Sequence, residues 1–154
     1  MKSYIKVLVV AISLFVSSCG DPEHNMNFRY INESSHTIDI EFSFNYHSFQ
    51  LYDNLTLLPG DTVVGYASFM GKNPKTPYNV STVYNKADVC YDGQYVISHH
   101  AYKEDQSFVD IDRNICLSNS HKITRSDHGY TYTYTFTDAD YEYAVEHGQR
   151  VTEE

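Results

Sequence analysis

The chain has 154 residues, 15 tyrosines, no tryptophan and a formal net charge of −9. That length is enough for one domain with its own core. The acidic balance, with 11 Lys and Arg that nowhere cluster, excludes nucleic acid as a partner, because phosphate binding needs a basic footprint.

Lys2 and Lys6 make a short basic head, and Val7 to Val16 is a largely apolar run too short to span a bilayer. Residues 1–18 are therefore predicted to be a secretory signal peptide and are set aside from the fold. The segment ends in Val16-Ser17-Ser18-Cys19-Gly20, which looks like a bacterial lipobox, in which small residues precede a cysteine that is acylated and becomes the new N-terminus. Val16 stands where leucine is usual, and the alternative is an ordinary signal peptide cleaved beside a cysteine. Cleavage before Cys19 leaves 136 residues and, with Lys2 and Lys6 gone, a formal charge of −11. Membrane attachment would then come from acyl chains on Cys19, at roughly 0.8 kcal/mol per buried methylene, and not from attraction to anionic lipid. Residues 19–25 form a tether. Its acids Asp21 and Glu23 resemble the acidic export signals of surface lipoproteins in the Bacteroidetes, or serve as a solvated linker.

From residue 26 the dominant period is two. Phe28 and Tyr30, then Ile38, Ile40, Phe42 and Phe44, alternate with polar residues on either side of Asn32-Glu33-Ser34-Ser35, which predicts a first hairpin. A second is expected around Pro59-Gly60-Asp61, between Leu55 to Leu58 and Thr62 to Val64. Gly71 to Tyr78 carries a glycine and two prolines without apolar periodicity and reads as a long loop. Asp92-Gly93, flanked by Ala87 to Tyr91 and Gln94 to Ser98, is the strongest short hairpin signal, since a type I′ turn needs positive φ at both central residues. Lys103 to Arg113 is crowded with acids and is expected to be an exposed connection. Asn114 to Leu117 reads as a short strand, and Lys122 to Arg125 with Tyr130 to Thr137 as the last hairpin. Thr137 and Asp140 resemble a capping box, so a short helix is expected through Tyr141 to Glu146, stopped at Gly148.

The most ordered stretch is GYTYTYTFTD, residues 129–138. In a strand, Tyr130, Tyr132, Tyr134 and Phe136 share one face, and the threonines at 131, 133, 135 and 137 share the other. The rings either pack as core or stand as an aromatic platform on which Tyr130, Tyr132 and Tyr134 stack a glycan or a protein. Full burial stabilises by roughly 1.5–3 kcal/mol per ring, and a domain of this size with few leucines has to draw its core from such residues.

The elements together predict an all-β fold: one immunoglobulin-like β-sandwich of about seven to nine antiparallel strands with a short C-terminal helix, spanning 26–148, followed by a polar tail at 149–154. Once Cys19 is acylated, Cys90 and Cys116 are left either to form a disulfide in an oxidising compartment or to be buried as free thiols. A bond between them would contribute about 3.5 kcal/mol in the chain-entropy account.

Catalytic and metal signatures are absent from the sequence. His24, His36, His47, His121, His128 and His147 are scattered, and a strand would point His99 and His100 to opposite faces. Asp110 to Asn114 begins like a calcium loop but has Ile115 where glycine is needed and His121 where a bidentate glutamate is needed. There is no Gly-x-Ser-x-Gly elbow, phosphate-cradling loop or HExxH, so no metal, cofactor or catalytic residue is expected. Asp61-Thr62-Val63 resembles the Asp-Thr-aliphatic acceptor of Bacteroidetes O-glycosylation, or is simply a turn entering a strand.

The lipobox, the hairpin DVCYDGQYVISHH, the following RNICL and the ending YTYTYTFTDADYEYA together resemble small Bacteroidetes envelope lipoproteins of unknown function that carry an all-β domain. The resemblance covers the signal and roughly the C-terminal half. It implies an outer-membrane lipoprotein of the cell envelope, with surface display as one option, and it brings no catalytic residues. A non-enzymatic interaction or accessory module with an unidentified protein or glycan partner is therefore the leading expectation. A glycan-binding module using the aromatic face is the alternative, and an enzyme assembled from distant strands is a third.

Overall fold

The computed structural model describes residues 23–44, 54–70, 75–102, 113–127 and 129–152. The expected signal peptide, Cys19, Asp21, most of the acidic connection at 103–113, and His47 and His128 lie outside these residues. Two sheets face each other. The first contains β1 (Glu23–Asn32), β4 (Thr62–Met70), β7 (Lys122–Ser126) and β8 (Gly129–Phe136), in the order β4-β1-β8-β7. The second contains β2 (Ile38–Phe44), β3 (Asn54–Leu57), β5 (Tyr84–Tyr91), β6 (Tyr95–His100) and β9 (Gln149–Arg150), in the order β3-β2-β5-β6-β9. Among the described residues a single α-helix, α1 (Asp138–His147), lies between β8 and β9 in the chain. The all-β sandwich with a C-terminal helix is thus the fold. Strand pairing extends a few residues to either side of 26–148, since β1 starts at Glu23 and Gln149–Arg150 adds an edge strand.

Among the described residues every pairing is antiparallel except β1 with β8, which run parallel from Asn25 beside Gly129 to Asn32 beside Phe136. Gly129 makes that join possible. Its φ is +138°, and a Cβ there would lie 2.1 Å from the Asn25 carbonyl oxygen.

Two expected hairpins are instead arches between the sheets. Asn32-Glu33-Ser34-Ser35 carries the chain from β1 to β2, and Pro59-Gly60-Asp61 carries it from β3 to β4, each into the opposite sheet. The arches lean on each other: Gly60 N donates to Asn32 O (2.8 Å) and Asn32 N donates to Asp61 O (2.9 Å). The fully buried Asn32 amide supplies the rest, donating to His36 O (2.8 Å) and Leu57 O (3.1 Å) and accepting from Ser34 N and Oγ. A buried amide with every bond made fixes such a corner, where a partner-free one would be costly.

The other two hairpins form as expected. Asp92 and Gly93 both have positive φ (50° and 66°), and Gln94 N donates to Tyr91 O across the β5–β6 turn. β7 and β8 pair from Lys122 beside Thr133 to Ser126 beside Gly129. Asn114 to Leu117 is not a strand but a buried turn, in which the Asn114 side-chain oxygen accepts from Cys116 N (2.9 Å) and Leu117 N donates to Asn114 O. A local side-chain bond of this kind competes directly with a ladder.

The space between the sheets is filled with rings. Tyr132 is stacked on Phe28 (5.4 Å between centroids), Phe28 packs on Tyr84 (5.6 Å) and Tyr84 on Phe42 (4.9 Å). The tyrosine hydroxyls are not stranded: those of Tyr30 and Tyr84 bond each other at 3.0 Å, and Tyr84 also donates to Ile115 O.

Candidate functional site

The aromatic face of β8 is core. Tyr130, Tyr132, Tyr134 and Phe136 are all buried, and the threonines between them take the outward positions. The three hydroxyls reach loop carbonyls, Tyr130 to Lys75 O (3.0 Å), Tyr132 to Tyr78 O (2.7 Å) and Tyr134 to Arg113 O (2.8 Å). With their rings covered and their hydroxyls engaged, Tyr130, Tyr132 and Tyr134 cannot be the ligand platform that the alternation left open.

Cys90 and Cys116 are free thiols, not a disulfide. Cys90 lies between the inward residues Val89 and Tyr91 of β5, so its side chain takes the outer face, opposite Asp39 and Val96. Cys116 is buried inside and directs its Sγ to His99 O at 3.4 Å. Burial pushes the Cys116 thiol up to about 12, which leaves it an inert hydrophobe. Thr62, the first residue of β4, is exposed and follows a turn in which the Asp61 carboxylate accepts Leu58 N.

The site with room for a ligand lies elsewhere, in a cleft of about 600 Å³ between β6 and α1. β9 pairs with β6 only at Tyr95 and Val96. Beyond Val96, no other strand among the described residues pairs with that edge of β6, and α1 stands over it. Gly148 marks where helix and strand diverge: a Cβ there would lie 2.4 Å from Ala144 O and 2.8 Å from Val96 O. Tyr91, Tyr134 and Ile97 give the cleft an apolar floor, with Ser98, His100 and Gln149 around it and Tyr143 and His147 on the helix side.

Among the described residues its charged groups are a single pair. Arg113, in a positive-φ turn (φ 62°), donates from Nε and Nη2 to the two carboxylate oxygens of Asp140, each at 2.5 Å. Asp140 is also the third residue of α1 and accepts from the Thr137 N (2.7 Å) and Oγ1 (3.0 Å), closing the capping box. Arg113 Nη2 reaches Thr135 O as well (2.7 Å). Bidentate geometry of this kind fixes orientation as well as charge. The hydrogen bonds that Arg113 donates to Asp140 raise the Arg113 pKa further.

His99 and His100 do point to opposite faces. His99 sits opposite buried Ala87 and turns toward the sandwich interior, where burial lowers its pKa to about 4, while His100 is exposed. His99 is therefore a neutral donor and acceptor at ordinary pH. His147 packs its ring on Tyr143 at 4.4 Å. Among the described residues, no three His, Cys, Asp or Glu side chains come together as metal ligands.

The capping box was visible in the sequence, but its second role as the anchor of Arg113 was not. Arg113 sits at the end of an acid-rich stretch and reads there as a solvated charge. The cleft itself left no motif, because its walls come from β6, α1 and the turn at 113–114, joined only by the fold.

No protein-family model matches the chain, and no curated protein matches it. Among solved structures, the chain is similar to the dioxygenase domain of a dioxygenase and carbohydrate-binding protein fusion from the cellulolytic bacterium Streptomyces sp. SirexAA-E. The TM-score is 0.35 and the identity 9%, over 78% of this chain and 82% of that one. At that level of likeness nothing of that domain's chemistry transfers to this chain.

Proposed function

We propose that the protein is a lipid-anchored component of the bacterial cell envelope that binds rather than transforms, its β-sandwich serving as an interaction or accessory module. The observation that supports binding over catalysis is the state of the charged pair in the cleft. Both Asp140 oxygens are taken by Arg113 and by the helix cap, so the acid and the cation hold the fold together. A general acid or base needs a free site for the proton it moves, and this carboxylate has none to spare. The lipobox at Cys19 supports the envelope address, and the short apolar leader supports export. The first described strand starts at Glu23, close in sequence to Cys19, so a lipidated Cys19 would hold the sandwich close to the membrane surface.

The test uses the native chain in cells of a Gram-negative host. Labelling with a radioactive fatty acid should mark the wild type and not Cys19→Ala, and only the wild type should fractionate with membranes. Proteinase added to intact cells, with a periplasmic marker confirming a sealed outer membrane, then assigns the leaflet. A Cys19→Ala protein that still takes up label or still pellets with membranes refutes the anchor.

A further inference from the structure

The cleft between β6 and α1 combines three properties that together select a class of ligand. Among the described residues its lining has no net charge, because its one guanidinium is matched on both donating nitrogens by Asp140. A charged ligand would meet a neutral pair and gain little Coulomb attraction for the water it loses. The cleft also holds a polar side chain that the protein leaves unused: His99 lines it, faces the same interior side as Ile97 and makes no side-chain hydrogen bond among the described residues. A wholly apolar ligand would strip water from this imidazole and leave it unpaired, at a cost of about 1–3 kcal/mol. The third property is an accessible ring. Tyr143 is 45% exposed on the helix side, with the His147 imidazole packed on it.

A ligand that suits all three is uncharged, has an apolar face to lay on a ring, and carries groups around its edge that both donate and accept. We propose that this cleft is a binding site for an uncharged saccharide unit, its C–H face seated on Tyr143 and its hydroxyls bonded to His99. The inference rests on the binding-module reading above and adds the place and the ligand class to it. A volume of about 600 Å³ lies inside the range of small-molecule sites, roughly 300–1,000 Å³. His99 supports the assignment, since its imidazole stays neutral down to about pH 4 and so can both donate and accept. The saccharide function thus moves from the β8 tyrosines, whose rings are covered, to a tyrosine on α1 that no sheet covers.

The test is saturation-transfer NMR on the full-length protein in lauryldimethylamine oxide, a detergent without a sugar headgroup. Cellobiose, maltose and di-N-acetylchitobiose are the uncharged probes, digalacturonate the anionic one, a chitosan dimer the cationic one, and caffeine an uncharged planar aromatic. At least one uncharged disaccharide should give a saturable response. Tyr143→Ala should weaken it about tenfold and His99→Phe severalfold. Tyr143 is exposed and His99→Phe keeps a ring in place, so the melting temperature of either variant should stay close to that of the wild type. A response only to a charged probe or to caffeine, lost in Tyr143→Ala, overturns the saccharide class and leaves the module reading standing. Disaccharide binding unchanged in both variants overturns the cleft as its place. Silence toward every probe overturns the site and removes the support it lends to a binding module.

Discussion

Tyr132 has the least accessible ring on β8, at 0% exposure, yet its hydroxyl still donates to Tyr78 O at 2.7 Å. The residue therefore serves the fold twice, as apolar area against Phe28 and as the polar partner of a loop carbonyl. Burial pushes its phenol up to about 12, so it stays protonated and donating throughout the ordinary pH range. Tyr132→Ala should cost about 3–5 kcal/mol in urea unfolding, as a large-to-small change in a packed core. Tyr132→Phe keeps the ring and should cost only about 1 kcal/mol, the worth of one hydrogen bond. A loss below 1 kcal/mol in Tyr132→Ala would mean that the ring is solvated. Alternation alone could divide tyrosine from threonine at this strand, but could not say which face turned inward. The outcome follows from what stands opposite: Phe28, Tyr84 and Phe42 form an apolar wall that only the rings can match.

At the scale of elements, α1 is held by a side chain from a distant part of the chain. Asp140 belongs to its first turn, and Arg113, 27 residues earlier, grips it from the turn beside β6. Asp140→Ala removes the cap and leaves the guanidinium without its partner, which should cost about 3 kcal/mol in urea unfolding. Arg113→Ala strands a carboxylate of which only 8% is exposed and should cost a similar amount, whereas changes at the exposed Glu142 should cost under about 0.5 kcal/mol. Equal, small effects at all three positions would refute the clamp. The same contrast between near and far explains what the sequence could reveal. Asp92-Gly93 and Thr137 with Asp140 are complete within a few residues, so the β5–β6 turn and the helix start were readable. Asn32 to Ser35 and Pro59 to Asp61 announced turns correctly but not their destination, since an arch and a hairpin use the same local chemistry and differ only in which sheet receives the next strand. Asn114 misled because its apolar neighbours suggested a strand while its own side chain closed a turn. The β1–β8 parallel join, the Arg113 clamp and the cleft all depend on residues brought together over long separations, which neither periodicity nor motif records.

For the whole molecule, the decisive titrating groups are histidines buried without charge. His121 is 7% exposed beside Tyr132 and Tyr134, its Nδ1 bonded to Leu117 O (2.9 Å) and its Nε2 without a partner. Burial lowers its pKa from 6.5 to about 4, and the same cause lowers that of His99 to about 4. Between those values the unfolded chain takes up a proton that the folded one refuses, so stability is full above about pH 6.5 and falls as the pH drops toward 4. For His121 alone the loss is on the order of 3 kcal/mol, and His99 adds to it in the same window. The shielded acids act later, because the carboxyls of Asp92, held by His36, and Asp138, held by Ser35, are depressed below the ordinary carboxylate range. Urea midpoints taken every half unit from pH 7.5 to 4 should therefore decline before Asp92 and Asp138 protonate. His121→Gln, which removes the titrating ring and retains a side-chain donor for Leu117 O, should flatten roughly half of that decline. An unchanged slope in His121→Gln would show that the imidazole is solvated in the folded state, and with it that the end of the sandwich around Tyr132 and Tyr134 is open to water.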